Sequence, residues 1–184
     1  MYNKRAMEIS PDIIDRARGV RAMVLDVDGV LTDGSIVIDP RAEELKTFNV
    51  RDGQGIKMLQ RAGIVVCIIS GRSSRAVEKR AQELGITECF LGCHQKGAVY
   101  EQFKAGYRLK DEETACMGDD LSDIVILKRV GLAITVSDGD QYTAGFCHYV
   151  TTRPGGKGAV REVCDLILKA KGLYNEIVDG YAQV

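Results

Sequence analysis

The chain has no tryptophan, only three prolines among 184 residues, and no apolar run longer than the six residues Ile64–Ile69. A membrane-spanning helix needs about 20 consecutive apolar residues, so no transmembrane anchor is expected. Lys4 and Arg5 precede no apolar stretch of the kind a secretory leader requires, and a cytoplasmic location is the expectation. An excess of charge of one sign is also missing. Lys and Arg number 25 against 26 Asp and Glu, a net of −1. Neither nucleic acid nor an anionic membrane is expected as a partner. The six cysteines include no Cys-x-x-Cys, and Cys89-x-x-x-Cys93-His94 has no second pair beside it, so neither a zinc site nor a disulfide framework is expected. Nothing around His94 or His148 points to catalysis.

The informative segment is Leu25-Asp-Val-Asp-Gly-Val-Leu-Thr-Asp-Gly34, which closes the apolar run Ala22-Met23-Val24. Such a run reads as a buried strand of a parallel sheet. Side chains at i and i+2 share one side of a strand, so Asp26 and Asp28 place two carboxylates together. Like charges that close are costly unless a proton or a cation relieves them. A hard divalent cation does so with oxygen ligands.

Three further segments fit the same chemistry. Ile64–Ile69 is a second buried strand, ending in Ser70-Gly71-Arg72. A hydroxyl and free N–H groups at a strand-to-helix turn bind anions, although Ser70 fits a helix cap equally well and Ser73 or Ser74 can cap the helix that follows. Lys96 lies in Gly92-Cys-His-Gln-Lys-Gly97. A strand over 114–117 meets Gly118-Asp119-Asp120-Leu-Ser-Asp123, which reads as the other half of a metal site or as an acidic helix start.

Strand patterns near 22–27, 64–69, 88–91, 114–117, 131–135 and 147–150 alternate with helical ones near 53–62, 73–84, 95–105, 120–129, 140–145 and 158–171. Ser10 and Pro11 open a short helix before them. This is the signature of an α/β fold with a doubly wound parallel sheet, in which ligands bind beyond the carboxyl ends of the strands. Asp28, Ser70 and Asp119 all fall at such ends. A single domain over residues 1–184 is expected. One segment, 35–48, reads as a projecting β-hairpin with apolar Ile36, Ile38, Leu45 and Phe48. No insertion is long enough for a cap domain. Gly155-Gly156-Lys157-Gly158 is expected to be a mobile turn, and residues 173–184 an irregular docking tail.

Taken together, Asp26-Val-Asp-Gly-Val30, Ser70, Lys96 and Gly118–Asp123 resemble the four motifs of the haloacid dehalogenase-like phosphatase superfamily, in the right order. The segments Glu43–Gly53, Ser70–Arg72 and Gly155–Asp165 are similar to its capless branch acting on the 8-phosphate of the sugar acid 3-deoxy-D-manno-octulosonate, a precursor of the lipopolysaccharide core. The resemblance implies a Rossmann-like fold and Mg²⁺ as cofactor. It implies Asp26 as nucleophile and metal ligand, Asp28 as acid and base and, through its backbone carbonyl, a ligand, and Asp119 as the remaining ligand. Asp120 and Asp123 would orient waters and Lys96. Ser70 and Lys96 would hold the phosphoryl oxygens. Asp28 could be protonated near neutrality only with a raised pKa, which a neighbouring carboxylate would favour. Asn49, Arg72 and Arg80 are placed near the small-molecule sugar acid phosphate, with Arg72 suited to take its carboxylate. Arg80 equally fits a solvated helix charge. The resemblance also implies a homotetramer whose hairpins pack together. Alternatives are a phosphatase for a nine-carbon sialic-type acid, or one of broad specificity. A receiver-type signalling domain shares the sheet, the acidic site and a Lys, but lacks the i+2 acid and the Ser70-Gly-Arg element.

Overall fold

Strand β1 (Ala22–Leu25) is four apolar residues, all buried, and it lies at the centre of a six-stranded sheet. A computed structural model describes residues 9–182 of the chain; Lys4, Arg5 and the last two residues lie outside them. The remaining strands of the sheet are β4 (Val65–Ile69), β5 (Glu88–Phe90), β6 (Thr114–Met117), β7 (Leu132–Thr135) and β8 (Tyr149–Val150), with β2 (Val37–Ile38) and β3 (Glu44–Leu45) forming a separate hairpin. The order is β5-β4-β1-β6-β7-β8, and every adjacent pair is parallel. From β1 the chain winds outward through β4 to β5, then returns to β6 and winds the other way. The connections therefore diverge at the carboxyl ends of β1 and β6, the switch point where such sheets open a crevice.

Alternation along the strands splits the core in two. Met23 and Leu25 face α1 (Pro11–Gly19), α2 (Val50–Arg61) and α7 (Ala159–Ala170), whereas Ala22 and Val24 face α4 (Lys96–Tyr107) and α5 (Ile124–Leu127). Ser10 caps α1 through a bond from Ile13 N–H, with Pro11 in its first turn, as expected. The other helices are α3 (Arg75–Leu84), α6 (Gln141–Ala144) and α8 (Tyr174–Ala182). Ser74 occupies the N-cap of α3, but its side chain accepts no capping hydrogen bond. The helix expected over 120–129 is instead a 3₁₀ turn, Leu121–Asp123, followed by the short α5, because Asp120 and Asp123 bond backbone N–H groups at its start.

Three expectations are corrected, and the apolar stripe of α7 is placed. The hairpin strands are two residues each, and Phe48 packs against the core rather than outward; Ile36, Val37, Ile38 and Leu45 are exposed. The stripe Val160, Val163, Cys164 and Ile167 of α7 is fully buried within its own chain, against α2. Gly155–Gly158 is packed rather than loose. A Cβ on Gly155 would lie 1.7 Å from the Gly29 carbonyl, and Gly156 N–H donates to Val30 O at 2.9 Å. The tail is helical over Tyr174–Ala182. Tyr174, Ile177 and Tyr181 recur at helical spacing; the first two pack on the core, and Tyr181 Oη accepts from Gln54 Nε2 at 2.6 Å. The segment is therefore an ordered helix and not an irregular tail.

Candidate active site

Beyond Leu25 the pairing of β1 continues for one residue, as Asp26 N–H donates to Met117 O at 3.0 Å. The chain then turns. The N–H groups of Val30, Leu31 and Thr32 all converge on Val27 O. Gly29 takes φ +87°, and a Cβ there would stand 2.0 Å from Asp119 Oδ2. Gly29 is thus required both by its left-handed backbone and by the approach of Asp119. The loop of Gly155 and Gly156 backs the turn, and Asp52 anchors that loop by accepting from Gly158 N–H (3.2 Å) and Arg161 N–H (2.8 Å) at the start of α7.

The register of the sheet sets the remaining groups. Leu25 pairs with Ile68 of β4 and with Met117 of β6, so Ser70 and Asp119 flank Asp26 on its two sides. Among the described residues, Asp26, Asp119 and Asp123 are the one group of potential metal ligands, with a carboxylate oxygen from each within 4.8 Å of the others. Lys96, the first residue of α4, is buried between two of them. Its Nζ donates to Asp26 Oδ1 at 2.8 Å and to Asp123 Oδ1 at 2.6 Å. The other oxygen of Asp123 accepts from the N–H groups of Asp119 (3.1 Å) and Asp120 (3.4 Å). Both oxygens of Asp123 are therefore engaged within the protein, while Asp26 Oδ2 and the Asp119 carboxylate are left for a ligand.

Three carboxylates facing one ammonium leave negative charge in excess. Burial, then Asp123, push the Asp26 carboxyl up to about 6 against the pull of Lys96. Burial, then Asp26, Asp123 and Asp120, push Asp119 up to about 7. Burial works against the charge of Lys96, but Asp26 and Asp123 outweigh it and hold the ammonium well above its usual range. A site this acidic, with its oxygens converging, suits a divalent cation.

The other expected residues fall in different places. Ser70 is buried, and its Oγ accepts from Arg72 N–H at 3.4 Å, the bond of a turn cap. Asp120 is exposed and accepts from Leu121 N–H at 2.8 Å; it does not reach Lys96. Asp28 has cations rather than a carboxylate next to it, contrary to expectation. Its Oδ1 accepts from Lys46 Nζ, and Arg72 Nε lies 3.8 Å from Oδ2. Arg72 also donates to Glu44 Oε1 at 2.9 Å. Asn49 caps α2 through Arg51 N–H (2.8 Å) and donates to Gly156 O. Arg80 pairs with Glu83 beside Gly53. Neither Asn49 nor Arg80 bonds to the carboxylate cluster within this chain. Lys46 and Glu44 were missed, although they stand at i and i+2 in a strand entering the site, the same pattern that marked Asp26 and Asp28.

Comparison with known proteins finds relatives over most of the chain. A model of the haloacid dehalogenase-like hydrolases matches residues 92–162. The 3-deoxy-D-manno-octulosonate 8-phosphate phosphatase KdsC of Yersinia pestis is 45% identical over 163 residues, covering 89% of this chain and 87% of that protein. The crystal structure of the Moraxella catarrhalis phosphatase of that name, in complex with magnesium, phosphate and KDO, is 37% identical with a TM-score of 0.90, covering 92% of this chain and 98% of that one. The cobalt-bound phosphatase (YrbI) of Haemophilus influenzae is 37% identical with a TM-score of 0.86, covering 91% and 99%.

Proposed function

This chain belongs to the 3-deoxy-D-manno-octulosonate 8-phosphate phosphatases of the haloacid dehalogenase-like family, and on that premise we propose that it hydrolyses its phosphomonoester through an aspartyl-phosphate, in a Mg²⁺-dependent reaction. The observation that carries this reading is the cluster of Asp26, Asp119 and Asp123 around Lys96 at the switch point of the sheet. Asp26, Asp119 and the backbone carbonyl of Asp28 would hold the cation, as the excess of buried carboxylate over ammonium fits. When bound, the cation offsets the repulsion between the phosphate dianion and the carboxylates and polarises the phosphoryl oxygens.

Asp26 attacks phosphorus through one carboxylate oxygen while the other would hold the cation, and the bond from phosphorus to the sugar oxygen breaks. Lys96 and Ser70 hold the phosphoryl oxygens, and Lys96 keeps Asp26 oriented. Asp28 gives its proton to the departing sugar oxygen. In the second half, water loses a proton to Asp28 and its oxygen bonds to phosphorus, releasing phosphate and restoring Asp26. Asp123, fixed by two backbone N–H groups, positions Lys96. Asp120 shapes the turn that presents Asp119. Arg72 is half exposed at the mouth of the site, and it takes the sugar acid carboxylate bidentately in exchange for Glu44. Asn49 and Arg80 are assigned to the sugar acid or its phosphate. The enzyme works as one capless domain in the cytoplasm, on the route to the lipopolysaccharide core.

Release of inorganic phosphate from a panel of sugar phosphates, with Mg²⁺ and with EDTA, tests the reading. The eight-carbon acid phosphate should be turned over fastest and only with metal. A preference for a nine-carbon acid phosphate, or equal rates on neutral sugar phosphates, would reassign the substrate. Activity untouched by EDTA would remove the metal.

A further inference from the structure

Strand β3 and the residue that follows it bring two charged side chains into the site from outside the sheet. Glu44 and Lys46 lie two residues apart and turn the same way, toward Asp28, while Leu45 between them faces solvent. The side chain of Lys46 is only 1% exposed. An ammonium so far from water needs anions around it. Lys46 has Asp28 Oδ1 on one side and Glu44 Oε1 at 3.2 Å on the other. Glu44 is itself held from the far side by Arg72 at 2.9 Å. The hairpin is otherwise poorly anchored, with two-residue strands and exposed apolar side chains. A solvated Lys would have served its surface as well, so the burial of this one calls for an explanation.

We propose that Lys46 is the positioning residue of the leaving-group step, acting through Asp28. The inference rests on the assignment of Asp28 as acid and base made above. By occupying Asp28 Oδ1, the ammonium fixes the rotation of the carboxyl group, and Oδ2, which has Arg72 Nε 3.8 Å away but accepts no hydrogen bond from it, is the oxygen that exchanges the proton, with Glu44 as the anion that stays paired to Lys46. That proton passes from Oδ2 to the sugar oxygen as the bond from phosphorus to that oxygen breaks and the bond from Asp26 to phosphorus forms. The water of the second half returns a proton to the same oxygen. Glu44 holds Lys46 at the correct depth. A hairpin in place of a cap thus supplies orientation to the acid and not only cover to the site.

The test compares leaving groups. Lys46→Met retains length and loses charge. Its kcat should be measured with Mg²⁺ on 3-deoxy-D-manno-octulosonate 8-phosphate, whose alcohol needs a proton to depart, and on p-nitrophenyl phosphate, whose phenolate does not. The expected result is a fall in kcat of about tenfold or more on the sugar acid phosphate, with less than about threefold on the aryl ester and KM on both within about threefold. Lys46→Arg should recover part of the loss. If Lys46→Met does not fold, as judged by circular dichroism, Lys46→Gln gives the same comparison. An equal fall on both substrates, or a change confined to KM, overturns the proposal. Asp28→Asn run alongside separates the two assignments. A selective loss there with none in Lys46→Met removes Lys46 alone, whereas an unselective loss in Asp28→Asn removes the assignment of Asp28 and the proposal with it.

Discussion

Gly29 and Asp119 come from different halves of the sheet, yet a Cβ on Gly29 would sit 2.0 Å from Asp119 Oδ2. The turn after β1 and the carboxylate after β6 therefore share one space, and no side chain larger than hydrogen fits between them. Gly29→Ala should move Asp119 or the turn by a sizeable fraction of an ångström. A displacement of that size at a reacting centre lowers kcat by about 100-fold, and the left-handed φ adds about 1 kcal/mol of destabilisation. Steady-state kinetics and denaturant unfolding read the two effects. Wild-type kcat in Gly29→Ala would mean that Asp119 need not stay where it is.

Asp26→Asn keeps shape and removes the proposed nucleophile. Turnover should fall by about 10⁴-fold or more, with the circular dichroism spectrum unchanged. Retention of more than a few per cent of activity, with contamination excluded by active-site titration, would assign the nucleophile elsewhere.

Arg72→Ala should raise KM for the sugar acid phosphate about tenfold or more, the equivalent of losing one charge-assisted hydrogen bond of about 1.5–3 kcal/mol. KM for p-nitrophenyl phosphate should change little. Equal losses on both would assign Arg72 to the phosphate or to the Glu44 contact.

The raised pKa values of Asp26 (about 6) and Asp119 (about 7) have a consequence for the metal-free protein. Both exceed the ordinary 3.8, so the folded state binds more protons than the unfolded one over this interval. Their stabilising effect is complete below the ordinary value and is lost as pH rises through about 6 and then about 7. In EDTA, Tm should be lower at about pH 8 than these two groups allow at about pH 5, and Asp119→Asn should flatten that difference. Added Mg²⁺ should raise Tm more at the higher pH, where protons no longer compete for the carboxylates. A larger Mg²⁺ effect at the lower pH would contradict the assignment of these groups as ligands.

Ile36, Val37, Ile38 and Leu45 form an exposed apolar face on the hairpin, a liability in an isolated subunit. Light scattering at micromolar concentration should give about four times 20.1 kDa. Ile38→Lys should shift the mass toward smaller species. A wild-type monomer with full activity would remove the assembly and the shared site together.

The sheet was legible because its signals are local. Runs such as Ala22–Leu25 and Val65–Ile69 are apolar throughout and are followed by Asp26 and Ser70, and a strand buried on both faces needs nothing more to declare itself. The candidate carboxylates were legible for a related reason, since Asp26 and Asp119 follow apolar strands where a core strand has no use for charge, and Asp123 lies one turn beyond. Tertiary structure decided what depends on distant partners. The Gly155–Gly158 loop is rigid only because Gly29 and Thr32 lie against it, and no local signal separates a glycine that flexes from one that must admit a neighbour. The α7 stripe faces α2 because both helices cover the same sheet face. The α8 helix depends on docking at Gln54 and Arg61, since nine residues rarely hold a helix alone. The pairing of Lys46 with Asp28 joins residues 18 apart. Sequence marks which side chains are charged; only the fold decides which charges are taken out of water together, and that exclusion makes them act on one another.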